Sequence, residues 1–141
     1  MQTSQTTTLL NTIFQNAQMG VDSTQRLIEL VEDKTFLSVL IAQRNRYQDI
    51  YDQVLQMADQ ELKGQKTINK ISTNIMINLQ TIKDKSPSHL AGMMVQGNTM
   101  GVIDITKALR ENSAADAPVL ALGNQLLEMQ KNNVEEMKTY L

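Results

Sequence analysis

The sequence is poor in the residue types that mark disulfide-linked or β-rich proteins. Its 141 residues include no cysteine, no tryptophan, two prolines, three tyrosines and two phenylalanines. The absence of cysteine excludes disulfides, thiolate catalysis and cysteine-ligated metals. The scarcity of aromatic residues argues against a β-sandwich, because strands favour aromatic and β-branched side chains.

The sequence also has almost no excess of either charge and no long apolar run. The formal net charge is -2, so we expect no nucleic-acid partner and no attraction to an anionic membrane. Residues 1–8 lack the basic start and the apolar run of a signal peptide, and no stretch approaches the roughly 18 apolar residues of a membrane span. With 41% hydrophobic and 20% charged residues, the composition predicts one globular domain over 1–141, located in the cytoplasm.

The spacing of the apolar residues is helical through most of the chain. Apolar side chains recur every three or four residues in four long segments, at about 5–31, 34–62, 88–112 and 115–140. A shorter amphipathic pattern covers 66–84, between Gly64 and the Ser86-Pro87 pair. We therefore predict an all-α, antiparallel four-helix bundle of two helical hairpins, 5–62 and 88–140, joined by a shorter crossover helix at 66–84.

The two hairpins look like repeats of one another. Residues 15–21 and 96–102 share the pattern Gln-x-x-x-Met-Gly-Val at an offset of 81, and an offset of 82 carries the second apolar stripe onto the fourth. We interpret this as a duplication, although two heptad helices always align at some offset. The pattern places Gly20 and Gly101 mid-helix, where glycine costs roughly 1 kcal/mol against alanine. This favours close helix packing at both glycines, with a tolerated small residue as the alternative.

The predicted architecture carries a resemblance to a known family. Two hairpins, a long crossover, and the first-helix sequence with Leu10-Asn11, Gly20 and Glu32-Asp33 resemble the ferritin-like superfamily. More narrowly, the chain is similar to bacterial ferritin-like four-helix-bundle domains of unknown function. The resemblance implies a site at the bundle centre, where metal-binding members hold two metal ions with a Glu from each of two helices and a Glu-x-x-His pair from each of the other two.

The positions that correspond to these ligands carry other side chains. The core-facing pairs at i, i+3 spacing are Gln48-x-x-Tyr51 and Gln130-x-x-Asn133, and no Glu-x-x-His occurs anywhere. Neutral amides are poor ligands for transition metals, and a single histidine, His89, cannot build a multi-histidine site. We therefore predict no metal, no cofactor and no enzymatic activity. The alternative is an iron- or manganese-binding ferritin-like protein with an atypical site.

Polar residues on the apolar stripes predict a buried polar layer in place of a metal. Arg44 is the candidate cation of this layer, or else it lies at a stripe edge and extends to solvent. The predicted members are Arg44, Gln48, Tyr51, Asn98, Gln130 and Asn133. The function expected from these features is a structural or protein-interaction module. Its partner would be a second copy in a homodimer or another protein, and an adaptor or export chaperone with an apolar groove is a further possibility.

Overall fold

The structure is a computed structural model that describes residues 2–60, 62 and 82–141. That part of the chain contains four helices and no strand: α1 (Ser4–Leu30), α2 (Lys34–Met57), α3 (Pro87–Glu111) and α4 (Ala117–Lys138). The all-helical class predicted from the apolar spacing is confirmed. Most of the predicted crossover helix, 66–81, lies outside the described residues, and residues 82–84 are not helical. Among the described helices, none is long and apolar enough to cross a membrane.

Side-chain caps set the starts of three helices. The Thr3 hydroxyl accepts a hydrogen bond from the Thr6 amide, and the Asp33 carboxylate accepts one from the Phe36 amide at 2.8 Å. The Ser86 hydroxyl caps α3 in the same way. Each cap satisfies a backbone N–H that has no partner within its own helix. The Asp33 cap ends the three-residue link between α1 and α2. We call α1 with α2 the first hairpin and α3 with α4 the second.

The buried apolar side chains form two clusters at opposite ends of the bundle. The larger cluster takes residues from the first half of α1 and α4 and the second half of α2 and α3, namely Leu9, Leu10, Ile13, Phe14, Ala17, Tyr47, Ile50, Val54, Ile105, Ala108, Ala115, Val119, Leu122 and Leu126. The smaller cluster takes the other halves, with Leu27, Phe36, Leu40, Leu90, Ala91, Met94 and Met137. Between the clusters every helix buries small or polar residues. A polar level therefore separates the two apolar parts of the core.

The connection between the hairpins joins opposite ends of the bundle. Near the end of α2, Leu62 packs against the larger cluster. Just before α3, Ile82 packs against the smaller cluster. The chain between α2 and α3 thus starts at one end of the core and finishes at the other.

The buried positions of the two hairpins repeat with constant offsets. Each of the seven buried residues of α3 lies 81 positions after a buried residue of α1, as Gly101 follows Gly20. Each of the six buried residues of α2 lies 83 positions before a buried residue of α4, as Tyr47 precedes Gln130. The first offset equals the predicted one, and the second differs from the predicted 82 by one residue. This difference changes which face of α2 lies inside.

Candidate functional site

Five polar side chains from all four helices meet where the larger apolar cluster, which includes the ring of Tyr47, faces the smaller one. We call this group the central polar layer: Asn16, Tyr47, Asn98, Gln130 and Asn133. Four of them are at most 2% exposed, and Asn16 is half-buried. A buried polar group without a partner costs about 1–3 kcal/mol, so the hydrogen bonds of the layer decide whether it is tolerated.

Tyr47 stands at the middle of the layer and joins three helices. Its hydroxyl donates a hydrogen bond to Oδ1 of Asn98 on α3 and accepts one from Nε2 of Gln130 on α4 at 2.9 Å. Oδ1 of Asn98 also accepts a bond from Nδ2 of Asn133 at 3.3 Å, and Nδ2 of Asn98 donates to the Met94 carbonyl at 2.8 Å. The phenol and the two asparagine amides therefore satisfy one another inside the bundle.

Asn16 and Gln130 form a reciprocal amide pair that adds α1 to the layer. Nε2 of Gln130 donates to Oδ1 of Asn16 at 2.7 Å, and Nδ2 of Asn16 donates to Oε1 of Gln130 at 3.4 Å. The same Nδ2 donates to the Gly101 carbonyl at 3.1 Å. Each carboxamide thus uses both its donor and its acceptor, and the layer holds α1 against both helices of the second hairpin.

Two glycines make room for the layer. A Cβ atom at Gly20 would overlap the ring of Tyr47. A Cβ atom at Gly101 would overlap the carboxamide of Gln130 and would lie 2.9 Å from Oδ1 of Asn16. Gly20 and Gly101, the two glycines predicted to allow close packing, therefore both face the central polar layer. Each faces the layer residue of the other helix in its hairpin, Tyr47 for Gly20 and Gln130 for Gly101.

The layer carries no formal charge at neutral pH. Burial raises the pKa of Tyr47 to about 12, against the smaller lowering effect of the hydrogen bonds from Gln130 and Asn133. A phenol with this pKa is fully protonated at pH 7, and the amides do not titrate. The donors and acceptors of the layer are therefore already engaged in hydrogen bonds, and the layer supplies no negative charge to balance a metal cation.

The layer reaches the surface along the seam between α2 and α4. There the guanidinium of Arg46 donates to Oδ1 of Asn133 at 3.3 Å and lies 3.5 Å from the Glu136 carboxylate. Nε2 of Gln43 donates to the same carboxylate at 2.8 Å, while Oε1 of Gln43 is buried without a partner among the described residues. Arg46, Asn133 and Glu136, with Ile50, line a groove of about 520 Å³. The groove therefore lies beside the layer, next to the paired Arg46 and Glu136.

The six residues predicted from the sequence divide into two groups. Asn98, Gln130 and Asn133 belong to the central polar layer. The other three, all on α2, lie outside it and are partly exposed: Arg44 donates to Gln25 at 2.6 Å, Gln48 donates to Asp52 at 3.0 Å, and Tyr51 stacks on Phe14 with 5.1 Å between ring centroids. Arg44 therefore lies at the edge of the apolar face, which was the alternative interpretation of this residue.

The physical reason is the rotation of α2. Its buried face is Phe36, Leu40, Gln43, Tyr47, Ile50 and Val54. The predicted stripe shared Leu40, Tyr47 and Val54 with this face, but its polar members were taken one residue later, at Arg44, Gln48 and Tyr51. One residue turns a helix by about 100°, which exchanges the buried Tyr47 for its neighbour. The missed signal is the regular spacing of Phe36, Leu40, Tyr47, Ile50 and Val54, which predicts the correct face with Gln43 as its single polar member.

Asn16 is the other member that the sequence did not indicate. It lies beside the buried stripe of α1, and only the amide of Gln130 draws it into the layer. Within the described ranges, no group of three or more His, Asp or Glu residues is placed to hold a metal ion. His89 is exposed near the start of α3.

Comparisons of the chain with protein-family models, with curated proteins and with solved structures found no match.

Proposed function

We propose that this chain is an antiparallel, ferritin-like bundle that acts in the cytoplasm by binding another protein chain, without catalysing a reaction and without a metal at its centre. The observation that carries this proposal is the central polar layer. The layer occupies the centre of the bundle, where metal-binding ferritin-like proteins hold their ions. Its groups are neutral and form hydrogen bonds with one another.

Contacts between the helices support the antiparallel arrangement within the first hairpin. Gln2 before α1 donates to the carbonyl of Met57 at the end of α2, and Arg44 near the middle of α2 donates to Gln25 near the end of α1. These contacts place the start of α1 beside the end of α2, as an antiparallel pair requires. In the second hairpin, Asn98 of α3 contacts Asn133 of α4. The larger cluster joins the end of α3 to the start of α4, which supports opposite directions for these two helices as well.

The connection between the hairpins supports the ferritin-like topology. Thr6 of α1 accepts a bond from the Asp116 amide at 2.9 Å, and Asn16 pairs with Gln130 further along both helices. Helices α1 and α4 therefore run in the same direction. Two hairpins with this arrangement need one long connection along the bundle, as ferritin-like folds have, and α2 ends at Met57 while α3 begins only at Pro87.

Exposed apolar side chains on α3 support binding to another chain. Met100 and Ile103 are 62% and 49% exposed, and their i, i+3 spacing places them side by side on one helix face. Single exposed apolar residues are common on monomers, but neighbouring ones favour a contact surface. A second copy of this chain is the first partner to test, because symmetric dimers are the commonest oligomers.

Metal content and oligomeric state test the proposal together. The protein is purified without chelators, loaded with iron, manganese or zinc, desalted, and analysed for metal by elemental analysis. We expect far less than one ion per chain. Stoichiometric metal that is lost in the Gln130→Leu or Gln48→Leu variant would instead support the alternative, a metal-binding ferritin-like protein with an atypical site.

Light scattering coupled to size exclusion measures the second part. The wild-type chain should be a dimer, and Met100→Lys with Ile103→Lys should return it to a monomer with an unchanged helical signal. Asn124→Lys adds a lysine at an exposed position of α4 and is the control that should leave the dimer intact. A wild-type monomer at every concentration would contradict a role for a second copy.

A further inference from the structure

The central polar layer is built from residues that differ between the two hairpins. At the offset of 83, Tyr47 of the first hairpin corresponds to Gln130 of the second, and these two residues contact each other. The remaining three members have no polar counterpart: Asn16 corresponds to Gly97, Asn98 to Ala17, and Asn133 to Ile50. The apolar spacing thus repeats, and the hydrogen-bonding groups do not.

The repeated spacing creates a problem of pairing. Because the buried positions coincide, the face of one hairpin could pack on a copy of itself from another chain nearly as well as on the other hairpin. A long connection between repeated units makes such an exchange between chains possible. Apolar packing alone would therefore allow more than one arrangement.

We propose that the central polar layer makes the first hairpin pair with the second and excludes pairing of either hairpin with its own kind. Between two first hairpins, the Tyr47 hydroxyl would face Ala17 in place of Asn98 and a second Tyr47 hydroxyl in place of Gln130, and would lose the Asn98 amide. Between two second hairpins, Gln130 would face Gly97 in place of Asn16 and a second Gln130 in place of Tyr47, and would lose the Asn16 amide. Either mispairing removes hydrogen bonds from buried polar groups, which is unfavourable in an apolar interior. This inference concerns assembly of the fold and stands independently of the proposed function.

Apolar replacement of the amide pair tests the proposal in the full-length chain. Asn16→Leu with Gln130→Leu removes the reciprocal bonds and keeps side-chain volume. We expect the variant to remain helical and to melt within a few degrees of the wild type. We also expect it to populate at least a fifth of its molecules in a second species, measured by light scattering and by extra peaks in the ¹H–¹⁵N spectrum. The matched control is Gln43→Leu, which replaces a buried amide outside the layer with the residue found at its counterpart, Leu126.

A second variant keeps the test decisive. Tyr47→Phe retains the ring that packs on Gly20 and removes only the hydroxyl that joins Asn98 to Gln130. It should show the same second species in a smaller fraction, and the Met100→Lys and Ile103→Lys changes should not remove that species. One species and one set of peaks in both layer variants, as in the Gln43→Leu control, would overturn the proposal.

Discussion

The two hairpins bury largely equivalent positions and fill the space beside their glycines in different ways. In the first hairpin the ring of Tyr47 packs on Gly20, and in the second the carboxamide of Gln130 packs on Gly101. The ring is rigid, and its overlap with the added atom reaches Cγ, close to the backbone of α2, whereas an amide at the end of a long side chain can rotate away. Equal spacing in the sequence therefore conceals unequal tolerance to change, and each hairpin should respond in its own way to the same substitution.

The largest effect is expected for Gly20→Ala. The added methyl group would overlap the Tyr47 ring, and overpacking of a tight core costs about 1–3 kcal/mol. We expect the free energy of unfolding, measured by urea titration, to fall by about 2 kcal/mol. The control is Gly97→Ala, where an added Cβ meets no atom within 4 Å. There the higher helix propensity of alanine should stabilise the protein by about 0.5–1 kcal/mol.

A combined variant separates the ring from other causes. Tyr47→Leu reduces the bulk beside Gly20, so the two changes together should destabilise less than the sum of the single changes. Strict additivity would show that the loss in Gly20→Ala has another origin.

A smaller effect is expected for Gly101→Ala. The new methyl group displaces the ends of Gln130 and Asn16, which can rotate away, and we expect them to keep only one of their two reciprocal hydrogen bonds. One such bond contributes about 1 kcal/mol, so the unfolding free energy should fall by about 1 kcal/mol. A loss larger than that of Gly20→Ala would break the comparison, because it would mean that the amide side is the more rigid one.

Alkaline pH should affect only the first hairpin's contribution to the layer. Tyr47 has a pKa of about 12 in the folded protein against an ordinary value of 10.0, so above pH 10 the unfolded chain releases this proton first. Stability from Tyr47 is therefore complete below pH 10 and is lost as pH rises toward 12, by about 1 kcal/mol between pH 9 and pH 11. Urea titrations at both pH values measure the loss. In Tyr47→Phe the other two tyrosines remain, so the difference between the variants isolates Tyr47, and equal losses would contradict its burial.

Much of this fold could be predicted from periodicity alone. Leu10, Ile13 and Leu27 recur at helical spacing in α1, and the shared Met-Gly-Val pattern aligned α1 with α3 at the correct offset. In the second hairpin the polar residues Gln130 and Asn133 were placed inside because the apolar residues around them define a single stripe. These predictions needed only local spacing, which one helix sets for itself.

The face of α2 could not be settled in the same way. This helix carries apolar residues on two adjacent lines, since Leu37, Ile41 and Tyr51 flank the buried line through Leu40 and Ile50. Local spacing fits both lines. The packing of Tyr47 on Gly20 distinguishes them, and it depends on a neighbouring helix. Asn16 was missed for the same reason, because its partner Gln130 lies 114 residues away.

The reciprocal amide pair has a consequence for the history of this chain. A lineage that replaced Asn16 by an apolar residue would leave the Gln130 amide buried without one of its partners, so the second change would be favoured only after the first. Related sequences should therefore alter positions 16 and 130 together, amide with amide or apolar with apolar. If one ancestral hairpin gave rise to both halves, this pair records the point at which the halves ceased to be interchangeable.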